Sequence, residues 1–307
     1  MFDAKILLEN PEANREQFLA MRKDYIGASD VPAILGLSKY RSPIDVWMEK
    51  TGKKQGIEDN DVLWYGREHE SIVAKLFERR TGFPILKARA VYQHPKIPWL
   101  TATPDYLYTI PTGAIGPLEC KTAGLHERDL WSESKAPDMA HTQLITQMAV
   151  LGLFFGSCAG MVGGSVGKFY HPEYKMDYDL WELILGKLVE FKSMVDQGIC
   201  PTARADDMET LAEALQTEPG SMMCVDDDDC TFKELIVAQE LYTAADRKRT
   251  DLEAKLKDLK AKARQHMGTH ERAMFGSTEI KVMKIERAGY EVKPTSYTQV
   301  KIKPIKK

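Results

Sequence analysis

The sequence has 307 residues, of which 43% are hydrophobic, and a net charge of −3, values typical of a globular protein with one large domain or two modest ones. Its longest apolar stretch, Met148 to Phe155, is interrupted by Gly152 and is far shorter than the roughly 20 residues that cross a bilayer. The N-terminal residues lack the basic and then apolar sequence of a secretory signal, so we expect a cytoplasmic protein. The five cysteines are scattered without a C-x-x-C pair, which argues against a disulfide framework or a structural zinc site.

Helical and strand-like patterns alternate over the first two thirds of the chain. Helices are predicted at residues 15–24, 30–36, 43–51, 66–81, 138–155 and 178–197. Strands are predicted at residues 88–94, 99–110, 116–122 and 159–169. The alternation predicts an α/β domain over residues 1–200, with a mixed central β-sheet flanked by helices.

The last third of the chain has a different character. Residues 201–230 contain Pro, Gly and Asp runs and predict a connector. Residues 231–266 carry Leu, Ala and Tyr at heptad-like spacing and predict a long helix, whose apolar seam packs either within the chain or against a second chain. Residues 277–303 predict a small β-hairpin, so that 231–307 form one C-terminal extension.

This extension is also basic. Residues 247–307 hold 17 Lys and Arg against 7 Asp and Glu, a surplus of 10 positive charges, and the remainder of the chain has a net charge of −13. A basic segment attracts phosphates, which makes the extension a candidate nucleic-acid contact. The alternative is the solvated surface of a helix followed by a frayed end.

The most informative segment runs from Ala102 to Lys121 and predicts a β-hairpin with acids near its open end. Successive strand side chains point to opposite faces, so Glu119 and Lys121 share a face. Folding about the turn brings Asp105 beside Glu119. A simple count of the turn leaves the two carboxylates one residue out of register, so the prediction requires a bulge or a longer loop.

Two carboxylates this close repel each other and raise one pKa unless a cation lies between them. Their hard oxygen atoms suit Mg²⁺ or Mn²⁺. Lys121 would then orient or deprotonate a water at the metal. An isolated E-x-K motif is more often an ordinary surface ion pair, so this interpretation depends on the motifs around it.

Those motifs carry a resemblance. Pro104-Asp105 and Glu119-Cys120-Lys121 resemble the two halves of the PD-(D/E)xK nuclease motif. Residues from about 15 to 200 resemble the YqaJ-type viral recombinase, or lambda-exonuclease-like, family of that superfamily. The resemblance implies an α+β restriction-endonuclease-like core and a metal-dependent deoxyribonuclease.

The segment from Trp64 to Glu70 is the first supporting motif. In a helix, Glu70 is aligned with Val73 and Phe77 at the edge of the apolar face. A half-buried carboxylate needs a partner, and the resemblance implies that Glu70 contacts a second metal ion or its waters.

Arg22 and Ser29 form the second motif. We predict Ser29 to be the N-cap of a helix with Pro32 in its first turn. A helix N-terminus with an arginine nearby is an anion site, although a plain capping serine is the alternative. The resemblance implies that Arg22 and Ser29 bind the terminal 5′-phosphate of DNA.

The third motif is the pair Gln143 and Gln147, one helical turn apart. The resemblance places the active-site glutamine at Gln143, in contact with Lys121. Ile145 stands where the family pattern has a second glutamine, so Gln147 has the weaker claim. Ordinary polarity on an exposed helix face is the alternative for both.

The fourth motif spans residues 38–47. Tyr40 and Arg41 could contact a DNA end by stacking and charge, whereas Trp47 fits core packing better.

Together these motifs favour a Mg²⁺-dependent 5′-to-3′ exonuclease that converts linear double-stranded DNA ends to single strands for phage-type recombination. Asp105 would bridge two ions, with Mn²⁺ able to replace Mg²⁺, and Glu119, Glu70 and the Cys120 carbonyl would complete the ligands. The resemblance also implies a homotrimer, a single-strand annealing protein as partner, and the cytoplasm of a bacterial host if the gene belongs to a phage.

Three alternatives stay open. An endonuclease of the same superfamily would use the same chemistry. A CRISPR-associated or helicase-linked nuclease often carries an iron–sulfur cluster on clustered cysteines, which Cys224 and Cys230 are too isolated to supply. A DNA-binding scaffold on a decayed nuclease core is disfavoured because its metal ligands should be lost first.

Overall fold

The computed structural model describes residues 4–54, 60–164, 167–214, 222–223, 226, 229–275 and 278–281. The contacts divide the chain into two compact units, residues 1–216 and residues 217–307. Within the described part, none of the helices is both long and apolar enough to cross a membrane.

The helices of the described residues are α1 Arg15–Met21, α2 Val31–Ile34, α3 Pro43–Lys50, α4 Asp61–Thr81, α5 Asp138–Leu151, α6 Tyr178–Gln197, α7 Met208–Ala214 and α8 Cys230–Met267. The strands are β1 Lys5–Glu9, β2 Ile26–Gly27, β3 Ile85–Lys87, β4 Ala90–Gln93, β5 Leu100–Ala102, β6 Tyr106–Thr109, β7 Ile115–Ala123, β8 Phe155–Val162, β9 Lys168–Tyr170, β10 Glu173–Lys175, β11 Arg272–Phe275 and β12 Thr278–Lys281.

The first unit contains two mixed sheets. One has the strand order β1-β4-β5-β2, and the other has the order β10-β8-β7-β6-β3 with β9 paired to β8. In the larger sheet β7 and β8 run parallel, while the other neighbours run antiparallel. The predicted mixed α/β architecture is therefore confirmed, but with two sheets in place of one.

Helices α4 and α5 cover the two faces of the β7–β8 pair. Val73 and Phe77 of α4 pack in one buried cluster with Leu118. Leu144 of α5 packs in a second cluster with Cys158 of β8. Alternate residues of β7 therefore face different helices, which directs the odd-numbered Glu119 and Lys121 away from the α4 cluster.

Several predicted boundaries were wrong. The single strand predicted over 159–169 is two strands, β8 and β9, which pair antiparallel. The single strand predicted over 99–110 is divided between the two sheets, because Thr103-Pro104-Asp105 separates β5 from β6. Pro104 has no N–H for a strand ladder. The helix predicted to reach residue 155 stops at Leu151, where Gly152 takes the left-handed conformation with φ 68°.

The predicted connector contains regular structure. Residues 205–207 form a 3-10 turn that leads into α7, and Thr210 Oγ1 of α7 donates a hydrogen bond to Asp45 Oδ1 of α3 at 3.0 Å. This part of the chain therefore packs with the first unit.

In the second unit, α8 confirms the long helix predicted over 231–266. Its seam residues Leu252, Leu256 and Leu259 are more than half exposed. The hairpin predicted over 277–303 lies outside the described residues except at 278–281, where β12 pairs with β11.

Candidate active site

Asp105 and Glu119 lie opposite each other at the open end of the β6–β7 hairpin. Tyr106 pairs with Leu118 and the register runs on evenly, so residues 110–114 form a five-residue loop. One further step of the register reaches Asp105 and Glu119. The longer loop, not a bulge, brings the two carboxylates together.

Glu119 is 1% exposed and has a partner on each oxygen. Its Oε2 accepts a hydrogen bond from Gln147 Nε2 at 2.6 Å, and its Oε1 lies 2.5 Å from Lys121 Nζ. A buried carboxylate needs such partners because removing its charge from water costs several kcal/mol. Gln147 was given the weaker claim on the site from the sequence, yet it is fully buried against Glu119.

Lys121 connects the carboxylates to α5. Its side chain is 35% exposed, and its Nζ donates to Gln143 Oε1 at 3.1 Å, the contact that the resemblance implied. Burial opposes protonation, but Glu119 and Asp105 outweigh it and raise the pKa of Lys121 above its usual value. A charged ammonium can orient a water or stabilise negative charge, whereas it cannot accept a proton.

Asp105 accepts a hydrogen bond on Oδ2 from the Cys120 N–H at 2.7 Å. Burial, followed by the charges of Glu119 and Glu70, raises the pKa of Asp105 well above its usual value, against the opposing effect of Lys121. A positive charge beside Asp105 would therefore strongly stabilise its ionised form.

Glu70 projects from α4 beside its neighbours on the apolar face, Val73 and Phe77, which are buried as predicted. Burial, followed by the charge of Glu119, raises the pKa of Glu70 to about 7, while Lys87 and Lys121 oppose the rise. Glu70, Asp105 and Glu119 thus interact electrostatically. All three line one cleft, together with Lys121 and Gln143.

The chemistry of this cluster fits a hard divalent cation. Within the described residues, no three His, Cys, Asp or Glu side chains form a ready ligand shell; the Glu119 oxygens are instead held by Gln147 and Lys121. The carboxylate oxygens are nevertheless the ligands that Mg²⁺ and Mn²⁺ prefer. A cation would also reverse the repulsion that raises the pKa values of Glu70 and Asp105.

A cavity of about 60 Å³ adjoins the cleft. Arg22 and Ser29 both line it, and Gln143 lines both the cavity and the cleft. The structure thus brings together the arginine and the serine that were expected to act as a pair, next to the glutamine that contacts Lys121.

The prediction that Ser29 is a helix N-cap was wrong. Ser29 lies inside a 3-10 turn, and Asp30 is the residue that precedes α2. The Asp30 side chain accepts from the Gly27 N–H at 3.1 Å and so closes the turn. Ser29 is exposed and lines the cavity, while Pro32 lies in the first turn of α2 as predicted.

Buried ion pairs hold Arg22 in place. Its guanidinium lies 2.7 Å from Asp30 and 3.4 Å from Glu49. Arg41, expected at a DNA end, pairs with the same two carboxylates at 3.0 and 2.5 Å and is 14% exposed. Lys50 adds a third cation 2.8 Å from Asp30. Three cations face two carboxylates, which leaves a positive charge beside the cavity.

The two aromatic residues of this region differ. Tyr40 is 70% exposed, with the Lys39 ammonium 5.1 Å from its ring. Trp47 is 3% exposed and belongs to the core, as predicted.

The cleft itself has a volume of about 510 Å³ and includes four basic residues that the sequence reasoning missed: Arg15, Arg67, Lys87 and Arg89. Lys87 ends β3 and pairs with Tyr106, the neighbour of Asp105. The Lys-Ala-Arg spacing just before the buried strand β4 was the available signal, since alternate residues of an extended segment share a face.

Residues 17–154 match the model of the YqaJ-like viral recombinase domain. The chain is thus similar to that family over less than half of its length. It is 31% identical over 191 residues to the uncharacterised protein YqaJ of Bacillus subtilis strain 168, a match that covers 61% of this chain and 58% of that protein. The chain therefore spans less than two thirds of the length of that relative. The matched segment contains Arg22, Glu70, Asp105, Glu119 and the other residues up to Gln143 that the resemblance singled out.

Two exonucleases are among the similar solved structures. The alkaline exonuclease LHK-Exo from Laribacter hongkongensis is 19% identical with a TM-score of 0.48, over 60% of this chain and 94% of its own. A phage-related exonuclease from Haemophilus somnus 129PT is 13% identical with a TM-score of 0.43, over 57% of this chain and 95% of its own.

Proposed function

We propose that this protein is a divalent-metal-dependent deoxyribonuclease that degrades linear double-stranded DNA from its 5′ ends. The observation that carries the proposal is the convergence of Glu70, Asp105 and Glu119 with Lys121 in one cleft, within the residues that match the YqaJ-like viral recombinase domain. Basic side chains in the same cleft would attract the phosphate backbone.

Asp105, Glu119, Glu70 and the Cys120 carbonyl would hold the metal, taken to be two Mg²⁺ or Mn²⁺ ions. Bound there, the ions would supply Lewis-acid stabilisation of the negative charge on the phosphate. From its position on the hairpin, Asp105 would take part in holding both ions.

Other side chains in the cleft would position the water and the metal ligands. The Lys121 ammonium would orient the attacking water and stabilise charge that develops on the phosphate. Gln143 would hold Lys121 in place through the 3.1 Å hydrogen bond, and Gln147 would fix the Glu119 carboxylate. Each group would thus be oriented before the DNA arrives, which lowers the cost of reaching the reactive geometry.

Arg22 and Ser29 would anchor the terminal 5′-phosphate in the small cavity. The guanidinium of Arg22 offers a planar set of donors, and the net positive charge of its network favours a dianion over a neutral hydroxyl. Anchoring the end would fix which internucleotide bond reaches the carboxylates.

The test compares duplexes that differ at the 5′ end. Arg22→Ala should slow degradation of the 5′-phosphorylated duplex much more than that of the 5′-hydroxyl duplex, and Arg22→Lys should restore it incompletely because the planar fork is lost. Equal losses on both substrates would reduce Arg22 to a general DNA contact. Faster digestion from 3′ ends would overturn the proposed direction.

The proposal extends to the setting of the enzyme. We expect a homotrimer, a single-strand annealing protein as recombination partner, and the cytoplasm of a host cell. Light scattering after size-exclusion chromatography would test the assembly: a trimer mass supports it, and a monomer mass contradicts it.

A further inference from the structure

Lys87 is a second lysine of the cleft, separate from Lys121 in both strand and surroundings. It ends β3, and the next residue, Ala88, donates its N–H to the Asp105 carbonyl at 3.2 Å. Lys87 lines the cleft, whereas the smaller cavity is lined by Arg22 and not by Lys87. A group bound at Lys87 would therefore differ from the terminal phosphate discussed above.

In the structure the Lys87 ammonium is paired with Glu12. Nζ and Oε1 are 2.6 Å apart, and the two side chains are 33% and 72% exposed. An ion pair this exposed is worth about 1 kcal/mol or less. The ion pair therefore keeps the Lys87 side chain near Glu12, but another anion can replace Glu12 at little cost in free energy.

The turn that carries Glu12 does not depend on that ion pair. The Asn10 backbone N–H donates to the Arg89 carbonyl at 2.8 Å, and the Asn14 side-chain amide donates to the Glu9 carbonyl at 2.9 Å. The Glu12 side chain can therefore leave Lys87 while the backbone of the turn stays in place.

The cleft that contains Lys87 is lined by further basic residues. Arg15 and Arg89 line the same cleft and are exposed. Of the carboxylates in the cleft, Glu12 is the one that forms an ion pair with Lys87, and Glu70 acts on Lys87 only as a nearby charge. A carboxylate oxygen and a phosphate oxygen accept from an ammonium alike, so a DNA phosphate entering the cleft would be a matching replacement for Glu12.

We propose that Lys87, with Arg15 and Arg89, binds an internal phosphate of the DNA strand in the cleft, and that Glu12 occupies Lys87 until that phosphate displaces it. The inference rests on the proposed function in so far as DNA is the ligand of the cleft. It adds a second phosphate site and an acidic side chain that competes for it.

The experiment measures DNA binding without hydrolysis. Fluorescence anisotropy with a 5′-phosphorylated duplex in EDTA would give the dissociation constant over about 50 to 200 mM salt. Lys87→Gln should weaken binding about tenfold and reduce the salt slope by about one, as expected for one lost charged contact. The matched control is Lys75→Gln, an exposed lysine of α4 outside the cleft lining, which should leave both values near those of the wild type.

The competition is tested by a double-mutant cycle. Glu12→Gln should tighten binding up to about fivefold in the wild type and should have no effect in Lys87→Gln, because the competitor then has nothing to release. Lys87→Arg should bind nearly as the wild type does, which separates loss of charge from misfolding.

Two results would overturn the inference: equal effects of Lys87→Gln and Lys75→Gln, or an equal effect of Glu12→Gln in both backgrounds. Because no cleavage is measured, failure here is distinguishable from failure of the proposed function. An inactive enzyme with intact coupling between positions 12 and 87 would contradict only the nuclease proposal.

Discussion

The Lys121 side chain neutralises a buried carboxylate as well as facing the cleft. Glu119 is almost wholly inaccessible to water, and Lys121 is its ionic partner. Judged from strand alternation alone, Lys121 would be an exposed lysine with little influence on stability. The ion pair gives it a structural role in addition to the proposed catalytic one.

Lys121→Ala should abolish hydrolysis and also lower the free energy of unfolding by about 1 to 3 kcal/mol, because it leaves a buried carboxylate without its cation. Urea unfolding in EDTA would measure the loss. Adding Glu119→Gln should recover most of the stability but none of the activity. Unchanged stability in Lys121→Ala would mean that the Gln147 hydrogen bond alone satisfies Glu119.

Glu70 makes the stability of the metal-free protein depend on pH. Its pKa rises from 4.5 to about 7 on folding, so the folded chain holds the proton more tightly than the unfolded chain does. The stability from this group is complete below pH 4.5 and is lost as the pH rises through 7. The raised pKa of Asp105 acts in the same direction.

We therefore expect Glu70→Gln to stabilise the metal-free protein relative to the wild type at pH 8, by up to about 3 kcal/mol, and much less at pH 5. Urea unfolding at the two pH values gives the comparison. Added Mn²⁺ should raise the melting temperature of the wild type more at pH 8 than at pH 5. An equal effect of the substitution at both pH values would contradict the assigned cause.

At the scale of elements, α5 and β7 position the candidate site together. Gln143 and Gln147, one turn apart on α5, reach Lys121 and Glu119, two residues apart on β7. One turn of a helix and two residues of a strand span similar distances, so each glutamine can contact one of the two charged side chains. The side-chain oxygen of Gln147 is buried without a hydrogen-bond donor, so one acceptor faces the protein interior unsatisfied.

Substitution of the two glutamines by methionine, which has a similar volume, should separate their roles. Gln147→Met should reduce both activity and stability, the latter by about 1 to 3 kcal/mol, because a buried donor to Glu119 is lost. Gln143→Met should reduce kcat with little change in stability, because its partner Lys121 keeps its ion pair. Equal melting temperatures for the two variants would argue against this division.

Strand alternation and helix periodicity predicted most elements and the Asp105, Glu119 and Lys121 hairpin. They could not predict the five-residue loop that sets its register, because loop length fixes register only once the paired ends are known. Nor could they predict that Pro104 separates two sheets, or that Gln147 is buried, since both depend on packing between segments distant in sequence. Lys87 was missed for the same reason, because no short sequence pattern associates it with Glu70, and only the folded chain places both in one cleft.

At the scale of the whole molecule, all candidate site residues lie in the first compact unit, residues 1–216. The heptad-like spacing predicted α8 closely, because its periodicity extends over many turns. The role of the basic C-terminal residues 247–307 stays a prediction, since charge alone does not distinguish a DNA contact from a solvated helix.

A chain that ends at residue 216 should still fold and should hydrolyse short duplexes, because the cleft is complete within it. Its DNA binding should be weaker and less dependent on salt, because the basic residues 247–307, with their surplus of 10 positive charges, are removed. The net charge removed is +3, since residues 217–246 hold 1 Lys against 8 Asp and Glu. Anisotropy titrations at several salt concentrations would measure the slope. An unchanged slope would assign the extension to protein contacts, and an insoluble product would show that the first unit needs the second.

We propose that the cleft of Asp105, Glu119, Glu70 and Lys121 hydrolyses linear DNA from its 5′ ends. The most direct measurement is a time course with Mg²⁺ on a 5′-phosphorylated linear duplex labelled at either end, beside a covalently closed circle of the same sequence. We expect progressive release of nucleotides from 5′ ends, an intact circle, and no release by Lys121→Ala or in EDTA. Cleavage of the circle at the rate of the linear duplex, or release that continues in Lys121→Ala, would contradict it.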